Sequence, residues 1–296
     1  MTPLLLDIKR NSLDDGPGVR SVVFFKGCPL SCVWCQNPEA IARGPQLQRD
    51  VEACAGCGAC QRACPHGVAR PADTVEARAD CQRCGVCVEA CPAAARRIAG
   101  EAKAIEQIVA ELLEDEPFYR RSGGGVTLSG GEATLFCADA GAIAQALCGA
   151  GVHVLLETCG LFSWRSFSER LLPYLTTVYF DLKLADPLAH GEYCGADNGS
   201  IVQNLGRLAT SGVELLPRVP LVPGITDSAD NLEALAAIIT DAGLSRVALL
   251  PYNPLWLAKR RGLGMELPYA HEAWMESAAV EACERTMEQA GLELVR

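Results

Sequence analysis

Short apolar runs recur along the chain at residues 22–25, 126–128, 152–156, 178–182, 213–216 and 247–250. From the second onward each follows the last by roughly 25 to 35 residues, with a helix-like stretch between, which is the spacing of βαβ units. One such stretch is explicit: Ile105, Ile108, Val109, Leu112 and Leu113 fall on one face of an amphipathic helix. The pattern predicts six parallel strands, too few for a closed eight-stranded barrel, so the expected fold is α/β, a partial (β/α)6 TIM-like barrel. A doubly wound sheet is the alternative, but no G-x-G-x-x-G follows the first run.

The polar positions favour the barrel. Ser129-Gly130-Gly131-Glu132 follows the second run and Glu157-Thr158-Cys159-Gly160 the third. Asp181 and Lys183 close the fourth, Arg218 and Pro220 follow the fifth, and Pro251-Tyr252-Asn253-Pro254 follows the sixth. Polar clusters at the carboxyl end of every strand are the signature of a site at a barrel mouth. A strand-end acid taken alone is more often a helix cap, but five clusters at once argue for a common site.

Composition changes this picture in two places. A formal charge of −10 over 296 residues argues against nucleic acid as a partner. No apolar run is long enough to span a membrane and no secretory leader is recognisable, so a cytoplasmic protein is expected. In that reducing compartment the 16 cysteines read as metal ligands rather than disulfides.

Their spacing says which metals. Cys28, Cys32 and Cys35 form C-x3-C-x2-C on the loop after the first strand, which is three thiolates where an iron–sulfur cluster normally takes four. The reading is a [4Fe-4S] cluster with one iron free for a substrate or cofactor; zinc would ask for paired knuckles and a fourth ligand that this loop lacks. Residues 45–100 contain two identical runs, Cys54, Cys57, Cys60, Cys64-Pro65 and Cys81, Cys84, Cys87, Cys91-Pro92, each C-x2-C-x2-C-x3-C-P. This is the bacterial two-cluster ferredoxin pattern, in which the fourth cysteine of each run serves the other cluster. It assigns Cys54, Cys57, Cys60 and Cys91 to one auxiliary cluster and Cys81, Cys84, Cys87 and Cys64 to the second. With few large apolar residues, this inserted ferredoxin-like domain should depend on its iron to fold. The chain then divides into 1–44, the start of the barrel with its cluster loop; 45–100, the insertion; and 101–296, the rest of the barrel.

The three-cysteine loop with Trp34 before its last cysteine resembles the radical S-adenosylmethionine (SAM) superfamily. Asp15-Gly16-Pro17-Gly18-Val19-Arg20, Gly27-Cys28-Pro29 and Cys35-Gln36-Asn37-Pro38-Glu39 further resemble the glycyl radical enzyme activating enzymes, although Gln36 stands where that family usually has His. The resemblance implies three [4Fe-4S] clusters and SAM as cofactors, and a glycyl radical enzyme as protein substrate. SAM contacts are implied at Asn37, Gly130, Gly131, Glu132, Lys183, Arg218 and Asn253, with the Glu132 carboxylate accepting from the SAM ammonium. A monovalent cation is implied at Glu157, Thr158 and Asp181. Asp15 and Gly16 become candidates for gripping the partner's glycine loop.

The implied reaction runs from reduced flavodoxin or ferredoxin, through the inserted clusters, to SAM, whose cleavage yields a 5′-deoxyadenosyl radical that takes hydrogen from a backbone glycine. The inserted clusters either relay electrons or brace the partner interface. A radical SAM enzyme acting on another peptide or small molecule is the alternative, and a pure electron-transfer protein leaves the strand-end clusters unexplained. A monomer is expected. Cys137, Cys148, Cys159, Cys194 and Cys283 read as free thiols, with Cys159 closest to the mouth, and the basic stretch with Lys259, Arg260 and Arg261 reads as a solvated face, with part of a docking surface as the alternative.

Overall fold

The computed structural model describes residues 2–70 and 80–295. All six expected strands are present and parallel: β2 (Arg20–Phe25), β6 (Gly125–Gly130), β7 (His153–Thr158), β8 (Thr177–Asp181), β9 (Glu214–Leu221) and β10 (Arg246–Pro251). Three further strands extend the sheet. β1 (Leu4–Ser12) runs antiparallel to β2, β5 (Glu101–Ala102) pairs antiparallel with β1, and β11 (Glu293–Leu294) lies parallel to β10. The order among the described residues is β11-β10-β9-β8-β7-β6-β2-β1-β5, an open nine-stranded sheet.

Strand alternation gives the sheet two unlike faces. Val23, Phe25, Val126, Leu128, Val154, Leu156, Val178, Phe180, Val219 and Leu221 point to the main core, where Ile108, Leu112, Ile143, Leu147, Leu205, Leu235 and Ile239 of the covering helices pack on them. The intervening positions carry Arg20, Thr127, Ser129, Glu157, Tyr179, Asp181 and Arg218 on the opposite face. The helix expected around Ile105 spans Ile105–Leu113 and buries Ile108 and Leu112.

Within 45–100, β3 (Gln46–Arg49) and β4 (Arg96–Ala99) pair as an antiparallel ribbon with Gln46 opposite Ala99 and Arg49 opposite Arg96. Leu47, Cys60, Ala69 and Cys87 form a small separate core there, with Ile98 packed against it. Among the described residues no helix is long and apolar enough to cross a membrane.

Candidate functional site

The carboxyl ends of the six parallel strands open on one cavity of about 330 Å³. Cys28, Cys32 and Cys35 line it together with Asn37, Ser129, Gly130, Gly131, Glu157, Thr158, Asp181, Lys183, Arg218 and Asn253. The structure thus collects most of the sequence-derived site residues in one place, from segments spread over most of the chain.

The cluster loop is held by backbone from two directions. Ser31 N donates to Cys194 O (2.8 Å) and Val33 N to Tyr193 O (3.0 Å), while Gly27 N donates to Ala40 O (2.7 Å). The thiols of Cys159 and Cys194 sit within hydrogen-bond reach of Cys28 and Cys32 respectively. Burial pushes the Cys35 thiol up to about 12, so it stays protonated until a metal takes the sulfur. Among the described residues no three Cys, His, Asp or Glu side chains could share a single metal ion. Cys28, Cys32 and Cys35 on one cavity wall fit a cluster that takes each thiolate on a different iron.

The glycines beside the loop are dictated by space. Gly130 has φ +106°, and a Cβ there would strike the Phe25 backbone; a Cβ on Gly131 would strike the Gly27 carbonyl. This close approach brings the end of β6 against the root of the cluster loop.

A chain of charges crosses the cavity. Ser129 Oγ donates to Glu157 Oε2 (2.5 Å), Arg218 Nη1 to Glu157 Oε1 (2.6 Å), Arg218 Nε to Asp181 Oδ1 (2.9 Å), and Lys183 Nζ to Asp181 Oδ2 (3.3 Å). Burial pushes the Asp181 carboxyl up, but Arg218 and then Lys183 outweigh it and hold it below its ordinary value. Burial likewise works against the Lys183 ammonium, and Asp181 more than offsets it, so the lysine stays charged. The cavity wall therefore carries compensated charges of both signs, suited to a zwitterion.

Three sequence-derived residues are placed differently from the rest. Glu132 is 1% exposed and absent from the cavity lining. Its Oε1 accepts from Thr134 N (3.2 Å), Thr134 Oγ1 (2.7 Å) and Thr158 Oγ1 (2.9 Å), and its Oε2 from Cys159 N (2.7 Å). The carboxylate is spent on tying the ends of β6 and β7 together. Asp15 and Gly16 are not brought to the cavity either. Asp15 O accepts from Thr127 Oγ1 (2.7 Å), and a Cβ on Gly16 would press on Leu155 and Arg20. Thr127 and Leu155 each lie two positions before the cavity-lining Ser129 and Glu157, so the turn sits one layer of side chains below the floor.

The inserted cysteines divide. Cys64, Cys81, Cys84 and Cys87 line one small pocket with Leu47, Ala69 and Ile98. Among them is the fourth cysteine of the first run beside the first three of the second. Arg96, 4% exposed, donates to Cys87 Sγ (3.8 Å) and to Arg70 O (2.6 Å). Of the other four, Cys60 is buried, Cys54 and Cys91 half-buried and Cys57 exposed.

Sequence reasoning favoured a solvated basic face over a docking surface for the helix Trp256–Gly262, and did not see its contact with the cluster loop. Lys259 Nζ donates to Gln36 O (2.9 Å) and Asn37 Oδ1 (2.9 Å), and Arg260 Nη1 to Val33 O (3.3 Å). Only Arg261 keeps to the outside, paired with Glu272 (2.7 Å). No local signal marks this docking, because its partners lie more than 200 positions earlier.

Residues 22–236 match the family model of the radical SAM superfamily. The chain belongs to that superfamily. It is 39% identical over 258 residues to the trans-4-hydroxy-L-proline dehydratase activating enzyme of Clostridioides difficile, covering 86% of this chain and 85% of the relative. To the choline trimethylamine-lyase activating enzyme of Oleidesulfovibrio alaskensis it is 36% identical over 298 residues, covering 95% and 94%. Within the superfamily these relatives set it among the glycyl radical enzyme activating enzymes. A radical SAM methyltransferase structure from Sphaerobacter thermophilus shares the fold, with a TM-score of 0.55 at 15% identity over 100% of this chain and 77% of that one.

Proposed function

We propose that this chain installs the radical of a partner glycyl radical enzyme by reductive cleavage of SAM, with Cys28, Cys32 and Cys35 holding the [4Fe-4S] cluster. The observation that carries the reading is the convergence of that three-cysteine loop and all six strand ends on one cavity. When bound, the cluster supplies the electron that splits SAM into methionine and a 5′-deoxyadenosyl radical, which removes hydrogen from the partner's glycine.

The chain's own residues position and enclose. Lys183 and Arg218 present cationic donors to the SAM carboxylate or hydroxyls, Asn37 and Asn253 present amides, and the Gly130-Gly131 backbone lets the ligand approach closely. With the Glu132 carboxylate committed to protein donors, the acceptors left at the end of β6 are its backbone carbonyls and the Ser129 hydroxyl. A monovalent cation at Glu157, Thr158 and Asp181 would compete with the Arg218 guanidinium, which already bridges the two carboxylates. No acid–base residue is needed for a hydrogen-atom transfer, so the protein's part is orientation and exclusion of water and oxygen.

Residues 45–100 are assigned as an inserted two-cluster domain, supported by the paired cysteine runs and by the pocket that Cys64 shares with Cys81, Cys84 and Cys87. Reduced flavodoxin or ferredoxin is the proposed electron donor, the protein a cytoplasmic monomer, and Asp15 and Gly16 are the proposed grip on the partner's glycine loop.

The test is anaerobic reconstitution, reduction with dithionite and addition of SAM, with 5′-deoxyadenosine and iron measured in wild type and in Cys28→Ala. Expected are product that depends on Cys28 and about twelve irons per chain, four for each of three clusters. Absence of product at full iron content would refute the enzymatic reading, and about four irons would refute the auxiliary clusters alone.

A further inference from the structure

The helix Trp256–Gly262 reaches the cluster loop through side chains whose chemistry constrains what the loop offers to a ligand. An ammonium group only donates hydrogen bonds. The atom of Asn37 that faces Lys259 Nζ at 2.9 Å is therefore its carbonyl oxygen, which leaves the NH2 as the end of the amide that can serve a ligand. Asn37 lines the cavity, and its Nδ2 makes no hydrogen bond among the described residues.

Lys259 is itself tightly placed. Its ammonium also donates to Gln36 O (2.9 Å) and lies 3.3 Å from Glu39 Oε1, so three points of the same loop meet it. Glu39 is 5% exposed, and its other oxygen is buried without a hydrogen-bond partner, so the lysine is a main source of compensation for that charge; Arg97 lies farther, at 3.7 Å. The next residue, Arg260, is 8% exposed, packs over the Trp256 ring and donates to Val33 O. The helix thus grips the loop on both sides of Cys35.

We propose that Lys259 is a positioning residue: it locks the Asn37 amide so that an N–H donor points into the cavity, and the ligand is recognised there through a carboxylate or hydroxyl oxygen. The proposal rests on the reading that SAM occupies this cavity. An Asn37 free to turn would offer oxygen as readily as nitrogen and would repel the same acceptor. Lys259 acts through Asn37 and not on the reacting atoms.

The experiment is equilibrium binding of SAM to the full-length reconstituted protein, followed by the change in the EPR spectrum of the reduced cluster, with iron content measured in every sample. Lys259→Met should weaken SAM binding about fivefold, the value of one ordinary hydrogen bond. Lys259→Arg should restore most of it, and Arg261→Met, two positions along the same helix, should bind as wild type. Asn37→Asp keeps its partner in Lys259 but turns an acceptor to the cavity, and should weaken binding at least tenfold. The decisive measurement is a double-mutant cycle: in an Asn37→Ala background, Lys259→Met should add nothing. Undiminished SAM affinity in Lys259→Met, an additive effect in the cycle, or loss of cluster iron in Lys259→Met would each overturn the proposal. Failure of the wild-type protein to bind SAM at full iron content would instead overturn the underlying reading.

Discussion

Replacing Glu132 by Gln keeps its shape and removes its charge, and the structure says that this apparently mild change is costly. Both carboxylate oxygens accept from a backbone N–H, Oε1 from Thr134 (3.2 Å) and Oε2 from Cys159 (2.7 Å). A backbone donor cannot reverse its role, whereas the Thr134 and Thr158 hydroxyls can. Whichever way the introduced amide is turned, its NH2 therefore faces an N–H, and a donor is left unsatisfied in a site that is 1% exposed. Losing one charge-assisted bond and burying that donor costs about 3 kcal/mol. In a chain of this size that lowers Tm by roughly 5 °C. The assay is thermal or urea unfolding of wild type and Glu132→Gln at matched iron content, with SAM affinity measured on the same samples. A variant as stable as wild type but with weakened SAM binding would refute the reasoning, because it would mean that the carboxylate serves the ligand and not the protein.

Three further outcomes are expected. Arg10 holds the Asp115 carboxyl below the usual carboxylate range against the opposing effect of burial, through a bond from Arg10 Nε (2.7 Å). Its folded value is depressed, so the stability it contributes is present above about pH 4 and lost as pH falls through that lower value; Asp115→Asn should flatten the acid limb of a stability–pH curve. Arg218→Met leaves Glu157 and Asp181 facing each other without their bridge and should cost roughly 3–5 kcal/mol as well as 5′-deoxyadenosine formation, whereas Arg261→Met should leave unfolding unchanged within about 0.5 kcal/mol. Chelating the iron should direct limited proteolysis to the segment between Arg49 and Arg96 while the barrel stays intact; cleavage spread evenly along the chain would contradict an iron-dependent fold of that segment alone.

The six parallel strands and the helix Ile105–Leu113 were legible because apolar periodicity reports burial against a continuous core, and each of these elements contributes to it. The cavity was legible for the same reason, since the carboxyl ends of neighbouring parallel strands share one edge of the sheet by topology alone. β1 was not legible: Leu4–Ser12 buries few residues along its length and owes its place to backbone pairing with β2, which leaves little trace in side-chain pattern. Glu132 shows the opposite limit. Its position beside two glycines at a strand end is chemically suggestive, but sequence does not say which way a side chain turns, and four protein donors reach it first. Lys259 and Arg260 are further still from view. Their consequence depends on a helix near the carboxyl end folding back across the cluster loop, and nothing in three consecutive basic residues distinguishes that from a solvated surface.

The ribbon of β3 and β4 has a consequence for how such a chain can be altered. With Arg49 paired directly to Arg96, the polypeptide leaves and re-enters the barrel one strand spacing apart, about 5 Å. The two strands act as a two-pin socket, whose pins can stay where they are while the length of chain carried between them changes. A tight two-residue turn joining the two strands would preserve the backbone of Arg49 against which Gly262 packs and the Arg97 contact to Glu39. Segments of other lengths could therefore be carried between these two strands without redesign of the cavity.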